Sequence, residues 1–223
     1  VTVNAIPVVA AISGTTEVCA GSTTSLTSAT TGGTWSSSNT AVATVDASTG
    51  VVTGVAAGSV TITYTVTTNG CTSNAQATVT VNALPVLASI GGTASTCVGS
   101  TTTLTNTTSG GVWTSSATAV ATVNTITGTV TGVSAGTSTI TYTYTNSNGC
   151  VSSVTTTVTI NALPTVAAIT GTTSVCEGAT TTLSDVTAGG VWTSSNTATA
   201  TVDASTGVVT GVAAGSTTIT YTV

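Results

Sequence analysis

One phrase recurs three times in this chain, as VTVNAIP at Val1–Pro7, VTVNALP at Val79–Pro85 and VTINALP at Val158–Pro164, so the sequence repeats every 78 or 79 residues. A period of that length, carrying one tryptophan (Trp35, Trp113, Trp192) and one tyrosine at a fixed place (Tyr64, Tyr142, Tyr221) per unit, indicates small domains strung in tandem rather than one large fold. Residues 1–4 then read as the end of a preceding unit, 5–83 as repeat 1, 84–162 as repeat 2 and 163–223 as repeat 3 without its last strand. Trp35–Val66 and Trp192–Val223 differ at three of 32 positions, the similarity of a recent duplication.

Composition mainly excludes. There is no Lys, Arg or His, and the five acids are Glu17, Asp46, Glu177, Asp185 and Asp203. A chain without cations has nothing to neutralise phosphates, so neither nucleic acid nor an anionic membrane surface is an expected partner. The usual general bases and most metal ligands are missing as well, and neither catalysis nor a cofactor is expected. Thr, Val, Ala, Ser and Gly fill the chain instead, and 40% of residues are hydrophobic. Thr and Val are β-branched and favour strands, and Thr keeps an outward face wet without charge.

Alternation places the strands. In Val60–Val66, Val60, Ile62, Tyr64 and Val66 alternate with threonines, and Ala75–Val81 repeats the pattern, as strands with one buried face do. Asn69-Gly70 between them predicts a tight hairpin. Asp46–Gly50 predicts a second turn, flanked by Thr44-Val45 and Val51-Val52-Thr53. With Val8–Ile12, Ser22–Ser28 and Thr34–Ser37 the count reaches about seven short strands, that of a small immunoglobulin-like sandwich. The expected fold class is all-β, a tandem array of such sandwiches forming an extended rod.

An S-S-N stretch followed by A-T-V-D, T-G-x-V-T-G-V-x-A-G and a closing I-T strand occupies Ser37–Thr63, recurring at Ser115–Thr141 and Ser194–Thr220. Each unit thereby resembles a bacterial immunoglobulin-like domain of group 2. Repeat 2 departs at Ala117 and Asn124, where the others carry Asn and Asp. The fuller unit, with its cysteines, GGxW strand and NGC turn, is similar to modules of very large secreted surface proteins of Bacteroidetes. That resemblance implies a stalk or adhesive fibre at a cell surface.

Five cysteines follow the repeat: Cys19 and Cys71, Cys97 and Cys150, and Cys176. Separations of 52 and 53 residues in a chain without His point to disulfides rather than metal, and so to an oxidising, extracellular compartment. The expected bridges are Cys19–Cys71 and Cys97–Cys150, each stabilising its domain by about 4 kcal/mol in the chain-entropy model. By the same rule the partner of Cys176 falls about five residues beyond Val223. The segment is then an interior piece of a longer exported protein, with adjacent repeats as neighbours. In a second arrangement, Val1–Asn4 completes the third unit of another chain.

The linkers Asn4–Pro7, Asn82–Pro85 and Asn161–Pro164 are short and alike. Pro stiffens each, and Ile6, Leu84 and Leu163 are expected to bury against the neighbouring pole. Trp35, Trp113 and Trp192 are read as core, a role that outweighs sugar stacking in so small a sandwich. Asp46 and Asp203 are read as turn residues because Asn124 replaces them in repeat 2, which argues against calcium. The expected function is a structural stalk or fibre segment of a surface adhesin; the alternative is a module that binds glycan or another surface through the repeats themselves. Strands free of charge, with no Lys to guard their edges, predict self-association into fibres or bundles.

Overall fold

A computed structural model describes Val1–Val223 as strands and turns without a helix, in two compact units, Val1–Asn161 and Ala162–Val223. Repeat 1 holds eight strands: β1 (Ile12–Gly14), β2 (Glu17–Cys19), β3 (Thr23–Ser28), β4 (Thr34–Ser37), β5 (Ala43–Val45), β6 (Val51–Gly54), β7 (Gly58–Thr68) and β8 (Cys71–Asn82). They form two sheets, β1-β3-β6-β5 and β2-β8-β7-β4. The faces of these sheets meet in one core built from Leu26, Trp35, Val52, Ile62, Tyr64 and Val79. Repeat 2 repeats both sheets around its own core of Leu104, Trp113, Val130, Ile140, Tyr142 and Val158.

The long hairpin β7–β8 runs in register from Gly58↔Val81 to Thr68↔Cys71. Its turn is the expected one: Asn69 has φ 51° and Gly70 φ 82°, the left-handed pair that lets two residues reverse a twisted ribbon. The Asp46 turn forms too. Asp46 Oδ1 accepts from the amides of Ser48 and Thr49 at 3.0 and 2.8 Å and from the Thr49 hydroxyl at 2.9 Å. Asn124 Oδ1 accepts equivalent amides, from Ile126 and Thr127, at 3.0 and 2.9 Å. The turn therefore needs a side-chain oxygen, not a charge.

That difference predicts a pH effect. Bonds from Thr49 to Asp46 and from Thr206 to Asp203, foremost those from the backbone amides, hold both carboxyls below the ordinary range. A depressed folded value means that the contribution to stability is complete above the unfolded value near 4 and fades as pH falls through the folded one. Melting of the chain in acid should therefore become less pH-dependent in an Asp46→Asn, Asp203→Asn double variant.

Two features of the fold lie outside the sequence reading. The first strand covers Ile12–Gly14 rather than Val8–Ile12. Its edge contact is set by Gly14, where φ is 125° and a Cβ would stand 2.3 Å from the Ser25 carbonyl. The second feature is β2, which runs parallel to the end of β8 with Glu17↔Thr80, Val18↔Val81 and Cys19↔Asn82 in register. Three residues are too few to show alternation, and a parallel pairing between distant segments leaves no local turn signal.

The third unit has the sheet led by Thr170–Gly171, Thr180–Ser184, Val208–Gly211 and Ala200–Val202, and a second sheet of only Val191–Ser194 with Ile219–Thr222. Ile219 is half-buried, whereas its counterparts Ile62 and Ile140 are fully buried. This unit carries a conspicuous orphan, Asp185 Oδ2, which is buried without a partner. At the same place in repeats 1 and 2, Ser28 Oγ donates to the Ala10 carbonyl at 3.3 Å and Asn106 Nδ2 donates to the Ala88 carbonyl at 2.8 Å. Asp185→Asn restores such a donor and is expected to stabilise the third unit by about 1 kcal/mol, measured as a rise in its unfolding midpoint in urea.

Candidate functional site

The second glycine of each GGxW strand is required by a tyrosine, and the first by its left-handed backbone. Tyr64 Oη donates to the Thr30 carbonyl at 2.8 Å and accepts from the Gly33 amide at 2.8 Å, and a Cβ on Gly33 would lie 2.5 Å from Tyr64 Cζ. Tyr142 pins Thr108 and Gly111, and Tyr221 pins Thr187 and Gly190, in the same way. Each tyrosine ring packs beside its tryptophan, with centroids 4.6 to 4.7 Å apart. Trp35, Trp113 and Trp192 are all buried, so none offers a platform to a sugar. No group of three or more His, Cys, Asp or Glu side chains gathers to hold a metal.

Covalent chemistry lies instead at the junction between repeats 1 and 2. Cys19 is bonded to Cys150, 131 residues away, with Cα atoms 5.6 Å apart, while Cys71, Cys97 and Cys176 are free. The expected Cys19–Cys71 and Cys97–Cys150 bridges are corrected by this bond. The reason is β2. Its parallel pairing puts Cys19 beside Asn82, at the end of β8, and Cys71 begins that strand of 12 residues. A strand of that length spans about 36 Å, whereas bridged Cα atoms must lie within about 7 Å. Cys97 is likewise opposite Asn161, and Cys150 stands just before the other end of Val151–Asn161. Both cysteines of one repeat therefore lie at opposite poles of it.

The junction is held by more than the sulfurs. The hairpin loop of repeat 2 reaches back to the linker: Asn146 Nδ2 donates to the Ala83 carbonyl at 3.2 Å, and Asn148 Nδ2 to Asn82 Oδ1 at 3.1 Å. Inside that loop Asn146 Oδ1 accepts from the amides of Asn148 and Cys150, both at 3.0 Å, which fixes the direction in which Cys150 points. Cys150 is 1% exposed. Leu84, expected to bury at this junction, stays exposed. At the repeat 1–repeat 2 junction a disulfide and amide bonds replace an apolar plug.

In the third unit a cleft of about 830 Å³ opens beside Val175, Cys176, Gly211, Thr217 and Ile219. The corresponding space in repeats 1 and 2 holds β8 and Val151–Asn161, packed through Val79, Val81, Val158 and Ile160.

The sequence of residues 1–81 and 151–223, together more than half of the chain, matches the bacterial Ig-like domain (group 2). The chain belongs to this bacterial Ig-like family. No curated protein sequence matches it. Among solved structures, domains 4 and 5 of the S-layer protein SbsC are similar to this Ig-like array at 23% identity and TM-score 0.31, over 70% of this chain and 99% of that one. A SusE-like surface-located polysaccharide-binding protein of Bacteroides thetaiotaomicron shares 14% identity at TM-score 0.42, over 69% of this chain and 34% of its own. Mouse cadherin-23 EC22–24 shares 13% at TM-score 0.29, over 87% and 83%. Likeness at these levels concerns the fold alone.

Proposed function

We propose that this tandem bacterial Ig-like segment is a non-catalytic structural part of an extracellular surface protein, a stalk or fibre of an adhesin that holds other domains away from the cell. The observation that supports this reading is the Cys19–Cys150 bond, which fastens one domain to the next rather than closing either domain on itself. A disulfide of this kind persists in an oxidising compartment, and one that crosses a domain junction resists the bending and pulling that a stalk undergoes. The composition supports the same role, since faces of Thr and Ser without cations stay hydrated and bind no phosphate. An immobilised 223-residue chain offered a panel of glycans should retain none; saturable retention of one glycan class overturns the stalk in favour of a binding module.

Lateral association into bundles belongs to the same proposal. Of the four edge strands of repeat 1, β1, β4 and β5 carry no charged residue and β2 carries Glu17, so neighbouring molecules meet at three of the four edges with little repulsion. Contacts repeated along the array then add. Electron microscopy of the native material should show bundles with a domain-length repeat, and evenly dispersed threads one domain wide overturn this part of the proposal.

A further inference from the structure

The free thiols of unit Val1–Asn161 occupy places that the bonded pair has already defined. Cys97 stands in repeat 2 where Cys19 stands in repeat 1. Cys19 is in register with Asn82 and Cys97 with Asn161, and the amides that follow, of Ala20 and Val98, donate to those asparagine carbonyls at 2.9 and 3.0 Å. The turns after them match as well, with Ser22 donating to the Cys19 carbonyl and Ser100 to the Cys97 carbonyl, both at 3.0 Å. Beneath each cysteine lies a glycine that leaves no room for a Cβ: one on Gly54 would stand 2.9 Å from the Cys19 carbonyl, and one on Gly132 2.5 Å from the Cys97 carbonyl. The strand-side half of a junction, the part that Cys19 and Asn82 build in repeat 1, is thus present at Asn161.

Cys71 shows the other half. It stands in repeat 1 where Cys150 stands in repeat 2, and its sulfur lies 3.6 Å from the Asn4 carbonyl, as the Cys150 sulfur lies 4.0 Å from the Asn82 carbonyl. Asn4 Nδ2 donates to the Asn69 carbonyl of that hairpin at 3.0 Å. The asparagine before the linker is therefore seated on the hairpin in both repeats, one with a bonded sulfur beside it and one with a free thiol.

We propose that Cys71 and Cys97 are each one half of an inter-repeat disulfide: Cys97 receives the hairpin cysteine of a complete repeat joined at Asn161, and Cys71 receives the β2-type cysteine of a repeat joined at Asn4. The partner is a further unit of this same kind, recognised by a thiol at the matching place and by the Asn-Ala-Leu-Pro or Asn-Ala-Ile-Pro linker that delivers it. Every junction so built carries one covalent crosslink besides the backbone. Formation is an oxidation of two thiols to one disulfide. A small-molecule disulfide such as oxidised glutathione takes up the two electrons and two protons and leaves as two reduced thiols.

The test lengthens the protein by one repeat whose junction is already known, inserting a second copy of Ala83–Asn161 between Asn161 and Ala162 and refolding in a glutathione buffer. Peptide mapping without reduction, by a protease other than trypsin, is expected to join Cys97 to the hairpin cysteine of the inserted copy while Cys19 stays joined to Cys150. In the elongated chain carrying Cys97→Ser, the inserted hairpin cysteine should become open to alkylation with Cys19–Cys150 intact. The proposal is overturned if Cys97 remains alkylatable with Cys19–Cys150 formed, or if the inserted copy bonds its own two cysteines. It is equally overturned if the unmodified 223-residue chain yields Cys19–Cys71. A failure in the elongated chain leaves the Cys19–Cys150 bond that supports the stalk reading in place, whereas Cys19–Cys71 in the unmodified chain removes that support as well; glycan retention tests the stalk separately.

Discussion

Cys150→Ser is expected to lower the stability of unit Val1–Asn161 by up to about 5 kcal/mol, the chain-entropy value for a closed loop of 131 residues. The loss arises in the unfolded chain, where the bond otherwise holds two distant segments together, and at the junction, where Cys150 directs the hairpin onto Asn82 and Ala83. Urea unfolding of the oxidised chain should show the two repeats of this unit losing structure at a lower midpoint in the variant. Cys71→Ser is the control: its thiol is free, and the midpoint should stay within about 0.5 kcal/mol of the parent. A large effect of Cys71→Ser with none from Cys150→Ser contradicts the inter-repeat bond. Reduction with a thiol reagent should reproduce the Cys150→Ser result in the parent and change nothing in the variant.

Trp113→Ala should cost repeat 2 about 3–5 kcal/mol, the range for removing a large buried aromatic side chain. Trp113 is 3% exposed and packs against Tyr142 with centroids 4.6 Å apart. It also lies against the backbone of Gly128, where an added Cβ would stand 2.9 Å from the ring. A domain of this size has about 5–15 kcal/mol of stability in all. Repeat 2 should therefore unfold in the variant at urea concentrations that leave repeat 1 folded. Amide hydrogen exchange read on peptides of each repeat at increasing urea separates the two events. A midpoint shifted by less than about 1 kcal/mol would place Trp113 outside the core.

The fold was legible where neighbours in sequence are neighbours in space. Ile62 and Tyr64 alternating with Thr61, Thr63 and Thr65, the Asn69-Gly70 reversal and the Asp46 oxygen over its own turn are all local physics. The tyrosine hydroxyl that explains Gly33 is not local: Tyr64 Oη meets the Thr30 carbonyl and the Gly33 amide in the loop between β3 and β4, 34 and 31 residues earlier in the chain, and the sequence offers only a recurring Gly-Gly and a recurring Tyr. The disulfide is hidden for a different reason. A repeating chain looks the same after translation by one repeat, so regular spacing is kept whether Cys19 joins Cys71 or the hairpin cysteine one unit further on. What decides between them is the parallel pairing of Glu17–Cys19 with Thr80–Asn82, and three residues carry no pattern that announces it.

That parallel pairing also fixes the topology of the covalent chain. Because Cys19 and Cys150 are joined, residues 19–150 form a closed ring that contains most of two domains and the whole of the Ala83-Leu84-Pro85 linker. An exposed linker is the ordinary place for a protease to cut, and Leu84 is 44% exposed. Here a single nick in it opens the ring without releasing either piece, so under oxidising conditions the array survives damage that would sever an uncrosslinked string of domains.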